Sequence, residues 1–276
     1  MKRNSINQVF AAVLIAAHLF MTACDKNPAD SDTPKQPALP PQSSITLDLS
    51  AFNQALAKGQ GEASVVGQNF ITARLTVAAI NLSVATILSV PTLTFAAALA
   101  QQPVLKADGK YHWSFIVNDG AKSFQADLAG WIDVPATEAV FEMRITTTGV
   151  TPALTNFLWY EGRAKLDNKT GYWEIYDALR PASAIKVLRI DWQAQDATTG
   201  TLELTAVEAG VPTFGDKVTY NANGSSRSVI YKDASENRTV TIAWDETTKA
   251  GSITAPNYNG GNKACWDEKL DDVTCP

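Results

Sequence analysis

The stretch that decides the fold is YHWSFIVNDG, residues 111–120. Tyr111, Trp113, Phe115 and Val117 alternate with His112, Ser114 and Asn118, so an extended chain places apolar side chains on one face and polar ones on the other. Asn118-Asp119-Gly120 then supplies residues that tolerate the backbone of a tight hairpin turn. Further runs of period two follow at 123–133, 139–147, 157–166, 172–178, 185–194, 201–207, 217–222, 226–232 and 239–245. The breaks between them carry turn chemistry, as in Asp167-Asn168-Lys169-Thr170-Gly171, Thr198-Thr199-Gly200, Asn223-Gly224 and Lys249-Ala250-Gly251. Connections this short make neighbours in sequence antiparallel neighbours in space.

Toward the N-terminus the period changes. Between Ala63 and Leu105 only Arg74 is charged, and Val66, Phe70, Ala73, Val77, Ile80, Val84 and Ile87 recur at steps of four and three. Ile71, Leu75, Ala78, Leu82 and Ala85 make a second apolar stripe, with Thr72, Thr76, Ser83 and Thr86 as a strip of small hydroxyls. This spacing predicts a helix that is apolar round most of its circumference and covered on nearly all sides. Ser89 and Pro91 read as the opening of a second helix through Phe95 to Gln101. Upstream, Ile45 to Leu49 reads as a strand, and Ser50 as the cap of a short helix from Ala51 to Lys58 that Gly59 ends. The expected fold class is mainly β with N-terminal helices. About ten strands form an antiparallel up-and-down barrel or half-barrel packed on two apolar helices, because so long a twisted sheet curls and protects its edges.

The N-terminus reads separately. Lys2 and Arg3, an uncharged apolar run from Val9 to Met21, and Thr22-Ala23-Cys24 follow the three-part layout of a secretory signal. The apolar run is shorter than the roughly 20 residues a membrane span needs. A cysteine after small residues at this point resembles the lipobox of bacterial lipoproteins. The resemblance implies cleavage between Ala23 and Cys24, diacylglycerol on the Cys24 thiol and a further acyl chain such as palmitate on the new N-terminus. The mature chain is then held to a membrane of the bacterial cell envelope by lipid alone, several buried chains giving stable anchoring. Residues 25–44, DKNPADSDTPKQPALPPQSS, read as a Pro-rich spacer that cannot bury enough apolar surface to order itself. The organisation is therefore a signal peptide over 1–23, a lipidated cysteine and linker over 24–44, and a single helix-plus-barrel domain over 45–276.

The formal charge of −5 becomes two units more negative once Lys2 and Arg3 leave with the signal, which disfavours nucleic acid and anionic lipid surfaces as partners. Cys265 and Cys275, in an oxidising exported setting, are expected to pair and pin the C-terminus.

Residues for chemistry are few. His112 is the only histidine left after cleavage, no nucleophile-elbow or phosphate-loop pattern occurs, and the acidic group Asp267, Glu268, Asp271 and Asp272 reads as a solvated turn. No catalytic residue, metal ligand or cofactor is assigned. Alternating charges at Glu142, Arg144, Glu161, Arg163, Glu174, Arg189 and Asp191 read as an outer salt-bridge ladder, or as a polar patch lining a cavity beside Trp159.

The order of helices followed by a long antiparallel sheet looks like the lipoprotein-carrier half-barrels of Gram-negative envelopes, in which a sheet wraps an apolar cavity under helices. It implies binding of an apolar ligand or an envelope protein. The expected cavity residues are Phe70, Val77, Ile80, Val84, Leu88 and Phe95, with Trp113 and Phe115 on the facing sheet, and a ligand pocket there occupies about 300 Å³ or more. Two other readings stand beside it: a carbohydrate-binding module using exposed tryptophans such as Trp159 and Trp173, and a glycoside hydrolase built on Glu161 and Glu174.

Overall fold

In the computed structural model, which describes residues 34–54, 66–119, 121–196 and 198–276, the alternating segments form the long strands of one antiparallel sheet. These are β2 (Tyr111–Asp119), β3 (Lys122–Asp133), β4 (Glu138–Thr148), β5 (Phe157–Lys165), β6 (Thr170–Tyr176), β7 (Lys186–Ala194), β8 (Gly200–Ala206), β9 (Lys217–Asn223), β10 (Ser226–Asp233) and β11 (Arg238–Asp245). Four shorter strands complete it: β1 (Val104–Leu105) at one edge, and β12 (Gly251–Thr254), β13 (Ala264–Trp266) and β14 (Asp272–Val273) at the other. All 14 strands lie in sequence order, each paired with its neighbours. The sheet therefore corrects the closed-barrel alternative and the count of about ten strands: it is an open up-and-down meander whose two edges, β1 and β14, do not pair. The short strands escape a period-two reading because two to four residues are too few to show alternation.

One long helix, not two, crosses the inner face. After the short α1 (Ala51–Gln54), α2 runs unbroken from Gln68 to Leu99 with Pro91 inside it. An interior proline removes one helical hydrogen bond and costs about 3 kcal/mol. Here Leu88, Pro91, Thr94 and Phe95 are all buried against the sheet, and the Thr94 hydroxyl donates to the carbonyls of Val90 (2.9 Å) and Pro91 (3.0 Å). Tertiary packing carries the helix through a residue that local signals read as a boundary. The hydroxyl strip is bonded within the helix too: Thr72, Thr76 and Thr86 each donate to the carbonyl four residues back at 2.8 Å, and Ser83 does so at 3.1 Å. Back-bonding of this kind lets Thr and Ser sit inside a helix despite their β preference.

The helix starts at the last edge of the sheet and ends near the first. Its N-terminus meets β13 and β14, where Asn69 Nδ2 donates to the Cys265 carbonyl at 2.7 Å, and its C-terminus is followed within a few residues by β1. Along this path Phe70 packs edge-on against Trp266 (5.6 Å between centroids) and Phe95 against Trp173 (5.3 Å). Phe52 of α1 stacks on Phe70 (5.8 Å) and meets Trp244 (5.0 Å). Arg74, the one charge of the region, donates from Nε to the Phe52 carbonyl at 3.0 Å. The sheet covers only one side of the helix. The second apolar stripe, expected to be covered, faces outward at Leu75 (67% exposed) and Leu82 (72%), and Leu93 further along the helix is exposed too.

The described part of the Pro-rich stretch, residues 34–44, lies on the sheet. Pro37, Pro40 and Ser44 are buried, the Tyr111 hydroxyl donates to the Pro34 carbonyl (2.8 Å) and Asn168 Nδ2 to that of Leu39 (2.6 Å). Prolines lose little further backbone freedom on ordering, so few contacts suffice to fix them. Ile45 to Leu49 forms no strand; Ile45 and Leu49 are buried as a plug beside α1. Cys24 and the N-terminal segment expected to be a signal lie outside the described residues, as does the second half of the helix expected to end at Lys58. Cys265 and Cys275 are disulfide-bonded, with 5.2 Å between their Cα atoms.

Candidate functional site

Between α2 and the sheet lies a cleft of about 580 Å³. One wall is the helix face carrying Thr76, Ala79, Ile80, Ser83, Val84 and Ile87. The other is built by strand register. Leu204 pairs with Val218, Val218 with Tyr231 and Tyr231 with Val240, so these four inward-facing residues form one cross-strand row, the apolar floor of the cleft. Two residues further along each strand, on the same face, the row becomes Ala206, Asp216, Asp233 and Arg238. Period-two alternation thus carries an apolar surface to the end of β8 to β11 and finishes it with a polar rim. Ala255, Pro256 and Asn257, just after β12, close the side.

Hydrogen bonds order the rim. Asp216 accepts from the Tyr231 hydroxyl and from the Ala234 backbone N–H, each at 2.9 Å. Burial first, and then the bond to Asp216, push the Tyr231 hydroxyl up to about 12. Arg238 donates to Asp233 at 3.2 Å and lies 2.6 Å from a Glu236 oxygen. The Asp233 carboxyl is held below its ordinary value by the Glu236 backbone N–H, then by the Ser235 hydroxyl and Arg238. Cation and carboxylates therefore meet at the open end of an apolar slot.

Of the residues expected to line a cavity, Ile80 and Val84 do so. Phe70, Val77, Leu88, Phe95 and Trp113 are buried in the hydrophobic core, with Phe115 half-buried against it. The sheet-side lining came instead from β7 to β11; its signal in sequence was Asp233 and Arg238, charged residues that continue the inward-facing positions one step beyond the runs at 226–232 and 239–245.

Glu161 and Arg163 lie on the outer face of β5, away from the cleft, while Trp159, at a register shift of the same strand, is half-buried and meets Phe157 edge-on at 6.2 Å between centroids. Arg163 pairs with Asp133 at 2.8 Å and Glu138 at 3.5 Å. Glu161 and Glu174 are direct cross-strand partners, bridged by Lys186 at 3.2 Å and 2.5 Å, which holds the lysine above its ordinary value chiefly through Glu174. The two glutamates expected as a hydrolase pair are thus bound to one cation on the outside of the sheet. None of the seven tryptophans is exposed, which corrects the expectation of an aromatic platform. Trp173, named for it, donates from Nε1 to Ser44 Oγ at 3.1 Å in the core. Three of the tryptophans share a packing role instead: Trp173, Trp192 and Trp266 each stand directly across the ladder from a glycine, namely Gly162, Gly171 and Gly251. Each ring approaches that glycine so closely that an added Cβ would lie within 2.3 to 2.6 Å of it.

His112 is buried on the opposite face from Trp113, between two carboxylates: Nδ1 lies 2.8 Å from Asp127 and Nε2 3.0 Å from Asp108. Ser114 Oγ donates to Asp127, not to His112. Hydroxyl and imidazole share an acid without forming a nucleophile and base pair.

Comparisons with known protein families, characterised sequences and solved structures found no match.

Proposed function

We propose that this chain is a membrane-tethered lipoprotein of the bacterial envelope that holds an apolar ligand between α2 and the sheet, without performing chemistry on it. The observation that carries the reading is the cleft: at about 580 Å³ it falls within the range of small-molecule sites, and its floor is an unbroken apolar row. The lipobox resemblance at Cys24 supplies the tether. At the rim the Tyr231 hydroxyl bonds to Asp216 and Arg238 pairs with Asp233, polar groups that orient a ligand's head.

Two measurements test it. Mass spectrometry of the acylated chain purified in detergent and then freed of it is expected to show a co-purifying amphiphile at a fixed ratio, lost on filling the cleft by Ala79→Trp. The intact mass is expected to show diacylglycerol, lost in Cys24→Ala. An unmodified thiol on the exported chain removes the tether, and an empty cleft removes the ligand.

A second reading, a protein partner, is favoured by the outward stripe of α2, where Leu75, Leu82 and Leu93 are each more than half exposed. Leu82→Asp is expected to disrupt such a complex on size-exclusion chromatography while leaving cleft binding unchanged.

A further inference from the structure

The rim carries information about the ligand's polar end. Resting on the ligand-binding reading above, we infer that the cleft takes an amphiphile whose head is a cation of the ammonium type, its alkyl chain lying on the Leu204, Val218, Tyr231 and Val240 row. Among the rim side chains, Arg238 is already committed to two carboxylates, Asp233 at 3.2 Å and Glu236 at 2.6 Å. Asp216 receives hydrogen bonds only from neutral donors, the Tyr231 hydroxyl and the Ala234 N–H. Among the described residues no cation pairs with it. One carboxylate therefore stands uncompensated at the mouth of an apolar slot, and the group Asp216, Asp233, Glu236 and Arg238 carries a net negative charge.

A carboxylate head entering here meets like charge in a partly desolvated site, which costs several times what it does in water. An ammonium head meets Asp216 directly, and the half-buried Tyr231 ring beside it offers a face of the kind that holds quaternary ammonium groups. The same register that ends the apolar row one step before Asp216 sets the distance between chain and head, so the two ends of the ligand are selected together.

The test is isothermal calorimetry on the full chain at about 0.15 M salt with three dodecyl probes below their micelle concentrations: dodecyltrimethylammonium, dodecanoate and dodecanol. The ammonium probe is expected to bind at least about tenfold more tightly than dodecanoate, with dodecanol between them. Asp216→Asn is expected to bring the ammonium probe down to the affinity of dodecanol and leave dodecanol unchanged. Equal binding of all three probes, or a preference for dodecanoate, overturns the head-group assignment while sparing the apolar ligand. Binding of none overturns both. The ranking in the unmodified chain decides the matter even if Asp216→Asn does not fold.

Discussion

The Asp272 carboxylate caps the helix at Asn69 from the other end of the chain. Its oxygens accept the backbone N–H groups of Asn69 at 2.9 Å and Gln68 at 3.1 Å, two of the orphan donors that begin every helix. The Gly67 N–H donates to the Leu270 carbonyl at 2.8 Å, and a Cβ on Gly67 would lie 2.4 Å from Asp272. The glycine is what lets the last edge of the sheet come so close. Asp272 read in sequence as part of a solvated acidic turn; in the fold it attaches the helix to β14.

Removal of that cap is expected to cost about 1 kcal/mol. Asp272→Ala should lower the urea midpoint by a corresponding amount at unchanged m-value, whereas Asp272→Asn, which keeps an acceptor, should lose less. Equal losses in the two variants would show that hydrogen bonding to Asn69 and Gln68 is not what Asp272 contributes.

The disulfide acts on the same piece of chain, because Cys265 pairs across the ladder with Val273, the residue after Asp272. Cys275→Ser is expected to cost about 2 to 3 kcal/mol. Combined with Asp272→Ala the loss should fall short of the sum, since a loosened β14 no longer places the cap. Additive losses in a double-mutant cycle would show that bond and cap act independently.

Gly162 lies across from Trp173, whose ring would be 2.3 Å from an added Cβ, as would the Tyr172 carbonyl. Trp173 is locked between Phe95, Phe141 and Tyr160 and has no room to retreat. Gly162→Ala is therefore expected to destabilise by about 2 kcal/mol, read as a lowered Tm together with a shifted tryptophan emission. Retention of the parent Tm would mean that the ring and strand move apart freely.

Asp245 organises the turn between β11 and β12. The Ser225 hydroxyl, and then the Thr248 backbone N–H, bring its carboxyl from 3.8 down to about 2. A depressed carboxyl pKa contributes stability that is present above 3.8 and fades as pH falls through about 2. A carboxyl NMR titration of Asp245 should have its midpoint near 2, and Ser225→Ala should move it back toward 3.8. A midpoint that does not respond to Ser225→Ala would show that the hydroxyl is not the cause.

Much of the fold was legible because β-sheet geometry is written at short range. Tyr111, Trp113, Phe115 and Val117 alternate whatever the partner strand is, and turns such as Asn223-Gly224 declare themselves by their own backbone requirements. Pro91 misled for the same reason: its local signal is that of a helix start, and only the burial of Leu88 and Phe95 on either side holds the helix through it. The cleft was half legible. Ile80 and Val84 lay on the helical stripe, but their facing residues depend on which strands the helix crosses.

The sequence alone determined an antiparallel meander in chain order, an apolar helix before it, and two cysteines placed to bond, all consequences of period, turn chemistry and spacing within a few residues. The tertiary structure decided the number of strands, the open edges, the single helix laid between them, and the conversion of Asp216, Asp233 and Arg238 into the rim of a cleft. These depend on register and on the crossing of α2 over the sheet, which are settled by contacts between residues far apart in the chain and leave no mark in any local stretch of it.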